Sequence, residues 1–208
     1  SSRINKGRLI YCPPNTLISP LFKMFKNCLI DIGAQNCHES NSYGPHTGFV
    51  NCNMLKNIGA NYVIIGHSEN RKNGENDKLI NLKIKSAQKA KLKVIFCIGE
   101  TLNEKRKKMT KVILSKQIKL GFENIRIGSS IFVAYEPVWS IGTGAVPKPE
   151  DLFKIVDFIK NKLKNKKIKI LYGGSVNPKN IDTLKNITKI DGFLIVCASQ
   201  DSNKLIDI

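Results

Sequence analysis

The segment Ala134-Tyr-Glu-Pro-Val-Trp-Ser-Ile-Gly-Thr-Gly144 carries one carboxylate, Glu136, at the end of the apolar run Ile131, Phe132, Val133. A proline follows at once, then the chain's single tryptophan, Trp139, then Gly142-Thr143-Gly144. A base at a strand end, braced by Pro137-Val138-Trp139 and followed by a glycine hinge, is the equipment of an acid–base site under a lid.

Outward from this segment, short β-rich runs recur: Leu9–Cys12, Ile30–Gln35, Tyr62–Ile65, Val94–Ile98, Ile131–Tyr135, Ile168–Tyr172 and Phe193–Val196. Helical periodicity fills the gaps. Ile80, Ile84, Ala87 and Ala90 share one helix face, as do Leu152, Ile155, Val156, Ile159 and Leu163. Pro149-Glu150-Asp151 suits the first turn of the second of these helices, where Pro is tolerated and acids complement the dipole. Near-continuous apolar strands alternating with helices specify a parallel sheet covered by helices. Seven strands leave two architectures, an open doubly wound sheet or a (β/α)8 barrel with one βα unit absent.

The chain has 208 residues, 41% hydrophobic and 24% charged. One domain is expected, with length for a sizeable core. No apolar run approaches the roughly 18 residues that span a bilayer. Ser1 to Arg8 is polar and basic, unlike a secretory leader. These features predict a cytoplasmic protein without membrane association. The net charge is +18, yet only five of the 34 basic residues are Arg. The lysines scatter over several segments, and no aromatic residues interleave with them as a nucleic-acid stacking platform requires. We read the charge as the composition of an AT-rich coding sequence, not as nucleic-acid binding. A positive field still attracts an anionic substrate. The six cysteines form no C-x-x-C pair and read as small, reduced, buried thiols. His38 and His46, in or beside the polar loop Glu39 to Gly48, read as loop surface. No metal-ligand spacing is visible, and no metal or cofactor is expected.

In a parallel sheet all strands end on one face, which holds the site. Gly66-His67-Ser68-Glu69 follows the third run, Glu136 the fifth, and Gly173-Gly174-Ser175 the sixth. A carboxylate base with an imidazole that polarises a carbonyl can move a proton alpha to that carbonyl. Gly-Gly-Ser offers close backbone approach and N–H groups to an anion such as phosphate.

With these residues in view, the chain resembles triosephosphate isomerase. The resemblance rests on Gly33-Ala-Gln-Asn-Cys37, Gly66-His-Ser-Glu69, Cys97-Ile-Gly-Glu-Thr101, Ala134-Tyr-Glu-Pro-Val-Trp139 with Ile141-Gly-Thr-Gly144, Leu171-Tyr-Gly-Gly-Ser-Val-Asn-Pro178, Asp191-Gly-Phe193 and Ala198-Ser199. It implies a single TIM-barrel domain over residues 1–208 that interconverts dihydroxyacetone phosphate and glyceraldehyde 3-phosphate without a cofactor. It further implies Glu136 as the base, His67 as the neutral electrophile, Gly142 as the lid glycine whose N–H reaches the phosphate, and Ser175 as a phosphate contact. The usual assembly is a homodimer, and Gly44 to Gly48, with Thr47, resembles the intersubunit loop.

The sequence departs from the family pattern in three places. The family's first strand, with its Asn-x-Lys pair, has no counterpart; Asn5-Lys6 has the wrong spacing, so the expected barrel lacks its first βα unit. Val196 and Cys197 occupy the positions of a phosphate-holding Gly-Gly pair, where side chains are expected to crowd the anion. Ala145 replaces a lysine after the hinge, and Pro147 stiffens the far end of the lid. Two functional readings follow: a working isomerase, or a degenerate barrel with a structural or interaction role.

Overall fold

A computed structural model describes residues 7–165 and 167–208, with the side chain of Cys197 outside the description. Asn5-Lys6 therefore also lies outside the described residues. All seven expected strands are present: β1 Leu9–Tyr11, β2 Ile30–Ala34, β3 Tyr62–Ile65, β4 Lys93–Ile98, β5 Ile131–Tyr135, β6 Lys169–Tyr172 and β7 Gly192–Phe193. Their order in the sheet follows the chain. Such an order arises when each parallel strand returns to its neighbour through a helix. Among the described residues the helices are α1 Asn15–Met24, α2 Cys52–Asn57, α3 Ser68–Lys72, α4 Asp77–Lys89, α5 Leu102–Arg106, α6 Thr110–Gly121, α7 Pro149–Leu163, α8 Ile181–Lys185 and α9 Ser202–Ile206.

The chain divides into two compact units, Ser1–Ile65 with Lys78–Ile95, and Gly66–Asp77 with Phe96–Ile208. In the first, β1, β2 and β3 pair in parallel, with Ile10 opposite Asp31 and Gly33 opposite Tyr62. Residues Ile80, Ile84, Ala87 and Ala90 are all buried, as their spacing predicts. Asn51 caps α2 by accepting from the Met54 N–H at 2.9 Å. The loop ahead of that cap corrects the surface reading of His38, while His46 stays half-exposed among exposed loop residues. The His38 side chain is only 10% exposed, and its ring lies 4.4 Å from that of His46 and 4.9 Å from that of Phe49. The rings of His46 and Phe49 cover the His38 imidazole on its outer side.

In the second unit, β5 pairs with β6 and β6 with β7, again in parallel. Helix α7 starts at Pro149 with Glu150 and Asp151 in its first turn, and buries Leu152, Val156, Ile159 and Leu163. A capping box between Thr101 and Glu104 starts α5. The last strand is shorter than its apolar run suggests. β7 ends at Phe193, and the chain turns into a 3-10 segment, Cys197–Gln200, with Val196 in the α region (φ −106°, ψ −70°). The Ser199 hydroxyl donates to the Val196 carbonyl at 2.6 Å, which stabilises the turn against further strand.

The cysteine expectation holds in part. Cys37, Cys52 and Cys97 are buried, but Cys12 is half-buried and Cys28 exposed, and all five are free thiols. Cys28 sits in the bend between α1 and β2. Among the described residues, no helix is long and apolar enough to cross a membrane, and no group of three metal-ligating side chains gathers.

Candidate active site

The second unit brings His67 and Glu136 together. His67 follows β3 as the N-cap of α3, and Glu136 follows β5 directly. Both are buried, at 8% and 2% exposure. His67 Nε2 and Glu136 Oε1 lie 3.4 Å apart, yet neither atom makes a hydrogen bond. Buried polar atoms nearly always have a partner, so two orphans facing each other mark a place prepared for a ligand.

The protonation of each group follows from its surroundings. The Glu69 backbone N–H donates to His67 Nδ1 at 3.5 Å. That leaves Nε2 to carry the proton of a neutral ring. Burial lowers the His67 pKa against a smaller opposing pull from the Glu69 carboxylate, so the ring stays neutral near pH 7. Burial also pushes the Glu136 carboxyl up to about 8, partly offset by bonds from the Cys97 thiol and the Ser68 backbone and by the Arg71 charge. A carboxylate held out of water is a stronger base than one in solution.

This burial has a signed consequence for stability. Folded Glu136 keeps its proton up to about pH 8, whereas unfolded it loses it near 4.5. The folded chain therefore binds more protons in that window, and stability falls as pH rises through it. Glu136→Gln abolishes this fall. Thermal midpoints taken from about pH 5 to about pH 9 will show wild type losing stability relative to the variant. His67, whose lowered pKa acts in the opposite sense, is present in both proteins and cancels in the difference. Parallel midpoint curves would refute the assignment of a raised Glu136 pKa.

Glycines shape the space around the base. A Cβ on Gly173 would lie 2.7 Å from Glu136 Cγ, and one on Gly99 only 1.8 Å from the Glu136 carbonyl oxygen. Three positioning groups were not singled out from sequence. Arg71 donates to the carbonyls of Gly66 (2.8 Å) and Cys97 (3.2 Å) and to Asp77 (2.7 Å), tying the His67 turn to the end of β4. Glu100, 1% exposed, accepts from Trp139 Nε1 at 2.9 Å and from the Tyr135 hydroxyl at 3.2 Å. Burial, reinforced by the Glu100 carboxylate, raises the Tyr135 pKa and keeps that hydroxyl a donor. Glu100 thus anchors both β5 and the start of the lid. Ser140, fully buried, is the third, and its bonds are set out below. The signal available in sequence was a charged residue inside a strand-end motif for Glu100 and one just beyond such a motif for Arg71.

The lid itself leaves the surface. Gly142 and Gly144 have φ of +69° and +75°, with open space where a Cβ would stand. Gly142 is exposed, whereas Ser175 is half-buried after β6. The Ser175 N–H, expected to be open to an anion, donates to Ser140 Oγ at 3.1 Å. Val196 is half-buried at the turn after β7, and the expected crowding by the Cys197 side chain lies outside the described residues.

The family model for triosephosphate isomerase matches residues 2–208. The chain is similar to the triosephosphate isomerase of Thermodesulfovibrio yellowstonii, at 43% identity over 97% of this chain and 85% of that protein. It is 39% identical to that of Aquifex aeolicus, over 96% of this chain and 84% of that protein. A crystal structure of triosephosphate isomerase from Bartonella henselae superposes with a TM-score of 0.87 at 35% identity, covering 95% of this chain and 83% of that one. Seven parallel strands in chain order, a buried Glu–His pair at their ends and this likeness along nearly the whole sequence agree: the chain belongs to the triosephosphate isomerase family.

Proposed function

We propose that this chain interconverts dihydroxyacetone phosphate and glyceraldehyde 3-phosphate, with Glu136 as the base and His67 as the electrophile. The observation that carries the reading is the 3.4 Å approach of His67 Nε2 and Glu136 Oε1, both buried and without hydrogen-bond partners. A carboxylate base opposite a neutral imidazole is the pairing for which triosephosphate isomerase is itself the standard example. In its ionised form, whose share grows as pH rises toward about 8, Glu136 takes a proton from the carbon beside the carbonyl and returns it to the neighbouring carbon. His67 Nε2–H donates to the oxygen on which charge develops. A substrate carbon cannot enter a 3.4 Å gap, so Glu136 leaves its bonds with Ser68 and Cys97 when substrate arrives. Gly142 on the lid and Ser175 after β6 hold the phosphoryl group, with Val196 and Cys197 on its far side. Closure excludes water, which protects an enediolate that would otherwise expel phosphate. Relatives near 40% identity carry the isomerase name, which disfavours the degenerate-barrel reading.

A coupled assay with glyceraldehyde 3-phosphate tests the proposal. Wild type is expected to turn over, and His67→Gln to slow kcat at least about tenfold, the low end for loss of general acid–base help. An unchanged rate would remove His67 from the mechanism. We also propose a homodimer through the Gly44 to Gly48 loop. Tyr43 and Phe49 flank it at 73% and 63% exposure, apolar surface suited to burial in a partner. Sedimentation of Phe49→Asp should then show a shift toward monomer relative to wild type.

A further inference from the structure

The Ser140 hydroxyl, fully buried, sits at the meeting point of the lid and the turn after β6. It donates to the Ala145 carbonyl at 2.5 Å, so one bond joins the two ends of the lid tip. The Tyr172 hydroxyl lies 3.2 Å away and the Ser175 N–H donates at 3.1 Å. A hydroxyl has one proton and two lone pairs. With the proton given to Ala145, both lone pairs are filled by Tyr172 and Ser175, and the valence of Ser140 is complete. Gly174 permits this crowding, since a Cβ there would stand 2.2 Å from the Tyr172 oxygen and 2.7 Å from Ser140 Oγ. Thr143 shapes the same tip, its hydroxyl donating to the Trp139 carbonyl at 3.1 Å and accepting from the Ala145 N–H at 3.2 Å.

We propose that Ser140 is a positioning residue that couples phosphoryl binding to lid movement. The inference rests on the isomerase reading, which assigns Ser175 to the phosphoryl group. Ser140 occupies the Ser175 N–H and tethers Ala145 in the same act. An arriving phosphoryl oxygen, charged and a stronger acceptor than a hydroxyl, takes that N–H. The vacated lone pair removes one of the bonds holding Ser140 in place, and the tether to Ala145 loosens as the lid rearranges over the anion. The anion thus competes with a resident side chain for its own donor.

The test is titration of wild type, Ser140→Ala and Tyr172→Phe with inorganic phosphate, read by the fluorescence of Trp139, the single tryptophan. Removing the competitor in Ser140→Ala is expected to tighten phosphate about 2- to 10-fold, the worth of one net hydrogen bond. In the same variant kcat falls, because phosphoryl binding no longer signals to the lid through Ser140. Tyr172→Phe leaves Ser140 on the Ser175 N–H and keeps phosphate affinity within about twofold of wild type. A purely structural role for Ser140 would leave phosphate affinity unchanged or weaker in Ser140→Ala, and either result overturns the proposal. Equal tightening in Tyr172→Phe overturns it too, since general loosening would then be the cause. Turnover by wild type in the coupled assay is scored separately, so failure of the isomerase reading is distinguishable from failure of the Ser140 assignment.

Discussion

Glu136→Gln lowers kcat by about 10²- to 10⁴-fold while KM stays within a few-fold, the range lost when a positioned base is removed. The amide keeps the shape of the side chain, so packing against Gly173 and Gly99 is preserved. What disappears is the acceptor for the substrate proton. Glu136→Asp separates chemistry from geometry. It retains the carboxylate but draws it back by about one methylene, and near-attack geometry is lost with displacements of about 1 Å. Its kcat is expected at least about tenfold below wild type, with more residual activity than Glu136→Gln. Coupled assays over a range of substrate concentrations separate kcat from KM in both variants. Rates within twofold of wild type in both would show that another group moves the proton.

Gly99→Ala produces the largest loss of stability. The added carbon would lie 1.8 Å from the Glu136 carbonyl oxygen and 2.6 Å from its carbonyl carbon. Both are backbone atoms, so no side chain can rotate away. Retreat is blocked on each side. The Glu136 N–H donates to the Ile98 carbonyl at 2.8 Å, and Gln117 bonds both the N–H (2.9 Å) and the carbonyl (3.0 Å) of Gly99. We expect a loss above about 4 kcal/mol, in the tail reserved for severe clashes. That corresponds to a thermal midpoint lower by roughly 10 °C or more for a chain of this size. Calorimetry on Gly99→Ala beside the open-site control Gly128→Ala, where an added Cβ meets nothing within 4 Å, checks it; a midpoint within about 3 °C of wild type would mean that the two strand ends can part.

These two positions differ in how far sequence alone reaches. Glu136 and His67 were legible because each follows an apolar run directly, and a strand that ends beneath a polar residue places that residue at the sheet's functional face. The helices α4 and α7 were legible for the same kind of reason, since their buried residues recur at the helix period. Gly99 was quoted within a motif without a role. Its necessity comes from the Glu136 backbone, which is distant along the chain and visible only once β4 and β5 lie side by side.

His38 marks the opposite failure. A loop rich in Ser, Asn and Gly reads as surface, yet the His38 side chain is only 10% exposed and its ring packs against those of His46 and Phe49. The polar composition described the backbone correctly and the His38 ring incorrectly. The end of β7 was misread for a related reason. Phe193 to Val196 is apolar, but a strand also needs continued pairing, and the bond from Ser199 to the Val196 carbonyl favours a turn.

Sequence by itself determined the alternation of strand and helix, the parallel sheet, the placement of Glu136 and His67 at strand ends, and the family. All of these rest on periodicities and neighbours within a few residues, where backbone geometry leaves few choices. Only the tertiary structure decided that Glu100 anchors Trp139, that Arg71 clamps the His67 turn, and that Ser140 holds the Ser175 N–H. Glu100 and Trp139 are 39 positions apart, Ser140 and Ser175 35. Hydrogen bonds act over about 3 Å, and no local pattern encodes which distant donor comes to lie within that reach.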